Sequence, residues 1–245
     1  MKLRAAGRLG WFAIGVAAVM FDYFFDVVLR APKHLRAARA TWLHRAARAN
    51  LKVFGGSVTF SGAIPKGGLL VSNHSSYLDI VMIASVAPAV FVSKAEVRRW
   101  PVFGALAKIG GTIFIQRERR LDVGEVNNEI EKALADGALV VVFPEGTSSN
   151  GETILPFRAS LLEPALRGGY DISLACLRYE LDDGDAKTEV CYWGDRKFFH
   201  HLLNLLGKKS VRAKLCFGKF NRTTDDRKEL AVQLREAVLK LKAEN

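Results

Sequence analysis

A histidine and an aspartate five positions apart, His74 and Asp79, follow the short apolar run Leu69-Leu70-Val71. An aspartate bonded to one imidazole nitrogen fixes the tautomer and leaves the other nitrogen free to accept a proton. That arrangement suits deprotonation of a substrate hydroxyl. The spacing alone is weak evidence, but a second segment strengthens it. Phe143-Pro144-Glu145-Gly146-Thr147-Ser148-Ser149 follows the apolar residues Ala138 to Val142. Both runs read as buried strands that break into polar loops at their carboxyl ends, where open α/β sheets place ligands. The chain has no Gly-x-Ser-x-Gly elbow, so no enzyme serine is indicated as nucleophile.

The His-x4-Asp spacing followed by Phe-Pro-Glu-Gly-Thr resembles the glycerolipid acyltransferase family over roughly residues 68 to 180. The resemblance implies that His74 is the general base and Asp79 its orienting partner. The acyl group then passes from a thioester directly to the hydroxyl of a lysolipid. A further block, Gly110-Gly111-Thr112-Ile113-Phe114-Ile115-Gln116-Arg117, is similar to the family's strand ending in a phosphate-binding arginine, which places Arg117 in that role. Glu145, Gly146 and Thr147 match the acceptor-binding loop. The chain departs from the family at Ser148, where an arginine is common, and at Phe157-Arg158-Ala159-Ser160, where Phe-Lys-x-Gly is common. Arg158 stands as the candidate replacement for the missing charge. These departures, with Tyr192-Trp193-Gly194-Asp195, resemble the branch that acylates lyso-ornithine lipids.

The implied co-substrate is acyl-CoA or an acyl carrier protein, with no cofactor and no metal. The expected reaction is O-acylation of 1-acylglycerol-3-phosphate to phosphatidic acid, with a lyso-ornithine acceptor as the alternative. A thioesterase or deacylase using water on the same His-Asp pair is the reading from another enzyme class. A non-catalytic lipid-binding protein would not need the pair.

The elements that must hold these residues alternate between strand and helix, which predicts an α/β fold: a mixed sheet covered by helices on both sides. Strands are expected at 58–60, 69–72, 91–92, 112–115, 138–143, 172–177, 190–193 and 211–217. Helices are expected at 80–85, across most of 97–109, and from a capping-box start at Asp122 and Glu125 to Gly137. Residues 159–167 also read as helical. An amphipathic helix with Leu230, Leu234, Val238 and Leu241 on one face closes the chain.

The 245 residues carry 36 Lys and Arg against 25 Asp and Glu, a net +11. Residues 1–78 hold 11 of those cations and only Asp22 and Asp26 as acids. The basic third therefore faces an anionic surface. Leu9 to Leu29 is apolar apart from its glycines and two aspartates, and at about 1.5 Å per residue it is long enough to cross a bilayer. On a helix, Arg4, Arg8, Gly15, Asp22 and Asp26 share one stripe, opposed by Ala13, Ala17, Met20, Phe24, Val27 and Val28. This predicts a helix half-sunk in a membrane interface. Residues 30–52 add a basic helix containing Trp42, suited to anionic headgroups. No nucleic-acid reading module and no signal-peptide cleavage site are recognisable. The division expected is 1–54 as basic, amphipathic membrane-associating helices and 55–245 as the catalytic domain. The expected place is the cytoplasmic face of a bacterial inner membrane, with residues 9–29 lying on it or spanning it once. Three cysteines without a Cys-x-x-Cys pair read as buried apolar residues of a reducing compartment.

Overall fold

The computed structural model describes residues 2–116 and 120–244, apart from the side chains of residues 2, 54 and 120–123. From the N-terminus, α1 (Lys2–Tyr23) continues through a π-helical turn (Phe24–Leu29) and reverses into α2 (Leu35–Leu51). Then come β1 (Gly56–Ser61), β2 (Gly68–Ser72), α3 (Leu78–Val86), β3 (Val90–Lys94), α4 (Phe103–Ile109), β4 (Ile113–Ile115), α5 (Arg120–Ala135) and β5 (Leu139–Val142). The last part contains α6 (Glu163–Arg167), β6 (Ile172–Leu181), α7 (Ala186–Glu189), α8 (Phe198–Gly207), β7 (Val211–Lys219) and α9 (Arg227–Ala243).

The seven strands form one mixed sheet in the order β1-β7-β6-β2-β5-β3-β4. All neighbouring pairs are parallel except β6 and β7, which run antiparallel. Strands β2 and β5 lie near the centre and are almost wholly buried, which is why they read as unbroken apolar runs. Alternate residues feed two cores. Leu69, Val71, Val140 and Val142 pack with α5, α6 and α9, while Leu70, Leu139 and Val141 pack with α3 and α8. The expected mixed α/β sheet covered on both faces is therefore present.

Several elements differ from expectation. The helix expected across most of 97–109 is jointed at its proline: a short 3₁₀ turn, Ala95–Arg99, is separated from α4 by Trp100-Pro101-Val102. Proline removes a backbone donor there, and Val102 takes a positive φ of 64°, which no helix continues through. Helix α5 already begins at Arg120, so Asp122 lies within its first turn, and its side chain is outside the described ones. Val190 to Trp193 is not a strand. It is the exit from α7, with the Val190 and Cys191 amides both donating to Ala186 O. Cys176, Cys191 and Cys216 are buried free thiols, as expected.

The polar stripe on α1 finds partners within the protein while staying partly exposed. Arg4 donates to Gly207 O at 3.1 Å, and Arg8 donates to Lys208 O at 2.6 Å, so both satisfy carbonyls at the end of α8. Gly15 passes so close to α2 that a Cβ there would meet Asn50 Oδ1 at 2.2 Å. Further along, Arg45 of α2 sits between Asp22, at 2.8 Å, and Asp26. Trp42 is fully buried beneath the pair and donates from Nε1 to Val19 O at 2.8 Å. With its polar groups engaged by α2 and the end of α8, the α1 segment turns Trp11, Ile14, Phe21, Phe24 and Val28 outward. Residues Leu3–Leu29 are long and apolar enough to cross a membrane.

Candidate active site

His74 lies in the loop after β2, and Asp79 is the second residue of α3. The two side chains meet: His74 Nδ1 is 2.7 Å from Asp79 Oδ2. The same oxygen accepts the Ser75 and Ser76 backbone N–H groups at 2.8 and 3.1 Å, and Tyr179 OH donates to Oδ1 at 2.6 Å. Asp79 is wholly buried. Four donors thus converge on this buried carboxylate, and a hydrogen bond from Nδ1–H to Oδ2 leaves Nε2 as the acceptor end of the imidazole. The His74 ring stacks on Phe143 with centroids 4.3 Å apart, which fixes its plane. Its side chain keeps 21% exposure, and among the described residues Nε2 has no hydrogen-bond partner. That nitrogen is the open, basic end of the pair.

Two adjacent parallel strands bring the second motif alongside. Glu145, in the loop after β5, is 3% exposed. Its Oε1 accepts the His74 backbone N–H at 2.6 Å, and its Oε2 accepts that of Leu155 at 2.8 Å. Burial, the larger effect, pushes its carboxyl above the usual range, against the pull of the two amides. Its observed partners are therefore amides of the chain itself, and it ties three loop segments together. Gly146 follows at φ 78°, a left-handed conformation that glycine adopts without strain. Thr147 is exposed on the same loop. Arg158 is exposed beside it, with its backbone N–H donating to Pro144 O at 2.9 Å. Arg117 lies outside the described residues.

Further groups brace the loop, and of these Asn73, Tyr77 and His201 carry no assigned role in the motif reading. Tyr192 donates its backbone N–H to Ser75 O at 2.7 Å, and its carbonyl accepts the Ser148 hydroxyl. Asn73 spans from β2 to β6, donating to Leu177 O at 3.0 Å and accepting from Leu177 N–H at 2.8 Å. Behind the loop, Tyr77 OH and His201 Nδ1 lie 3.0 Å apart in a cluster of rings with Trp100, Phe103, Tyr192 and Phe198. Burial first, and the charge of Arg196 second, bring the His201 imidazole down to about 4, so it is neutral at physiological pH.

A family model described as Acyltransferase matches residues 57–177, which contain both loops. Along nearly the whole chain, 34% of 243 residues are identical to a lyso-ornithine lipid O-acyltransferase of Pseudomonas aeruginosa, covering 97% of this chain and 92% of that one. The chain belongs to the acyltransferase family. The acyltransferase is also 36% identical over 128 residues to a 1-acyl-sn-glycerol-3-phosphate acyltransferase of Neisseria gonorrhoeae, a match covering 52% of this chain and 50% of that one. Among solved structures, the 1-acyl-sn-glycerophosphate acyltransferase of Thermotoga maritima shares the fold, with a TM-score of 0.66 at 18% identity over 98% of this chain and 95% of that one.

Proposed function

We propose that the acyltransferase moves an acyl chain from a thioester to the free hydroxyl of a lysolipid, with His74 as general base. The observation that carries this reading is the His74–Asp79 contact with Nε2 left open. Nε2 takes the hydroxyl proton as the substrate oxygen bonds to the thioester carbonyl carbon. The tetrahedral intermediate then collapses, the C–S bond breaks, and the departing thiolate receives the proton from the imidazolium. Asp79 stays ionised throughout and stabilises that imidazolium. The products are an ester and a free thiol, and no enzyme nucleophile takes part.

The donor is acyl-CoA or an acyl carrier protein, and the reaction takes place at the cytoplasmic face of the membrane. Residues 1–54 hold the catalytic part, 55–245, at that surface. The first acceptor is 1-acylglycerol-3-phosphate, with Arg117, Glu145, Gly146, Thr147 and Arg158 on its headgroup side. One observation favours lyso-ornithine lipid as a second acceptor. The position where the family commonly carries an arginine is Ser148, and its hydroxyl is spent on Tyr192 O. The Pseudomonas aeruginosa relative, similar along the whole chain, bears that name. The test is incubation of the purified acyltransferase in mixed micelles with labelled acyl-CoA or acyl carrier protein and a panel of lysolipids. Label must enter a diacyl product only when a lysolipid is present. Thioester hydrolysis at the same rate without acceptor would replace this reading with a thioesterase.

A further inference from the structure

Tyr179 stands in β6, 100 residues beyond Asp79, and reaches the His74–Asp79 pair through a hydrogen bond to that carboxylate. The two oxygens of Asp79 have divided partners. Oδ2 is shared by His74 Nδ1, Ser75 N–H and Ser76 N–H, whereas Oδ1 takes Tyr179 OH at 2.6 Å. Acyl transfer as written above uses the imidazole and the carboxylate, and leaves the phenol without a task. Yet a phenol directed at the free oxygen of a wholly buried carboxylate is an electrostatic device, because a donor on one oxygen withdraws negative charge from the other.

We propose that Tyr179 is a positioning residue that sets the basicity of His74 by drawing the charge of Asp79 towards Oδ1 and away from the imidazole. The role rests on the reading of His74 as the base. Imidazolium is stabilised by the charge that Oδ2 presents to Nδ1–H, so weakening that charge keeps His74 neutral to lower pH. The phenol also pins the carboxylate plane, which in turn holds the ring over Phe143. Burial, reinforced by the charge of Asp79, keeps Tyr179 protonated far above its ordinary range, so it is a donor at every working pH. The other titratable groups around the pair are Glu145, Cys191 and Tyr77. Burial holds the Cys191 thiol up at about 11 and raises Tyr77 further, so both are neutral. Glu145 bonds to the His74 amide and is left unchanged in the test.

The test is a titration of His74 by NMR on the full-length, histidine-labelled protein in detergent micelles, with its resonance assigned by comparison with His74→Ala. The same preparations supply the pH profile of kcat/KM for acyl-CoA and the best lysolipid of the panel. Tyr179→Phe keeps the ring and removes the donor. It is expected to raise the His74 midpoint by about half to one pH unit, a three- to tenfold change in the proton affinity. The acid limb of kcat/KM should move up with it. A natively folded Tyr179→Phe protein whose midpoint and acid limb both stay in place would reduce Tyr179 to packing and overturn the proposal. Should Tyr179→Phe not fold, 3-fluorotyrosine at position 179 is a stronger donor and must shift the midpoint downwards; an unmoved midpoint there has the same meaning. Because the NMR titration needs no substrate, absence of acyl transfer in the wild type would count against the proposed function and not against this coupling.

Discussion

The backbone N–H of His74 donates to Glu145 Oε1 at 2.6 Å, joining the loops that end two adjacent parallel strands. Histidine and Phe-Pro-Glu-Gly-Thr motifs 71 residues apart are thus one structural unit. Glu145 accepts at both oxygens, so an amide in its place must oppose one backbone N–H with its own NH₂. Glu145→Gln is expected to cost about 1–3 kcal/mol, the penalty for a buried donor left without an acceptor. Acyl transfer should fall with it, because the displaced amide is that of His74 itself. Melting curves and rates on the same preparation check this. A variant with native melting and native rate would show that the loops hold without the carboxylate.

His201 supplies a pH dependence of stability. Burial holds its imidazole at about 4, below the value near 6.5 of an unfolded chain. Between these values the unfolded state binds more protons than the folded one, so stability from this group is full above about 6.5 and is lost as pH falls towards about 4. The loss amounts to at most about 1.4 kcal/mol per pH unit inside that window. In melts from pH 7 to pH 4.5, His201→Asn should flatten the wild-type decline. Equal slopes for the two proteins would place the acid sensitivity elsewhere.

The outward face of α1 is the proposed membrane contact. Trp11 and Phe21 are each 66% exposed, and the polar stripe behind them is bound to α2 and α8. A Trp11→Glu, Phe21→Glu double variant should lose co-flotation with phosphatidylglycerol vesicles and keep its melting temperature. Retained flotation would move the contact to another surface.

The acceptor question is concentrated at Ser148. Ser148→Arg removes the hydroxyl bound to Tyr192 O and adds a cation to the headgroup loop. The ratio of kcat/KM for 1-acylglycerol-3-phosphate over lyso-ornithine lipid should rise, by about tenfold for a charge-assisted contact of the usual strength. An unchanged ratio would show that this loop does not read the headgroup.

The His74–Asp79 pairing is legible in the sequence because β2 and β5 are central, doubly buried strands, so their ends are marked by abrupt changes from Leu and Val to His, Asp and Glu. The Tyr179 hydroxyl on Asp79 is not. The alternation through Ala175 and Leu177 continues to Tyr179 on the face that packs α3, but the polar neighbours Arg178 and Glu180 make the strand look finished at Leu177. Helix α8 has no place in the expected elements: Lys197 offers no side-chain cap, although His200, His201 and Asn204 interrupt its apolar residues at helical spacing. Val190 to Trp193 has the composition of a strand but spends its amides on Ala186 O and Ser75 O. On α1 the stripe is legible and its partners are not, since the carbonyls at the end of α8 and Arg45 of α2 are brought to it only by the tertiary fold.

The measurement closest to the central claim is the single-turnover rate of acyl transfer to a lysolipid by His74→Ala, with melting and vesicle flotation matched to wild type. Loss of the general base predicts a fall of about 10²–10⁴-fold, with Asp79→Asn severely but less impaired. A folded, membrane-bound His74→Ala protein that transfers acyl chains at more than about a tenth of the wild-type rate would contradict the account, because that residual rate is above anything a lost proton acceptor allows.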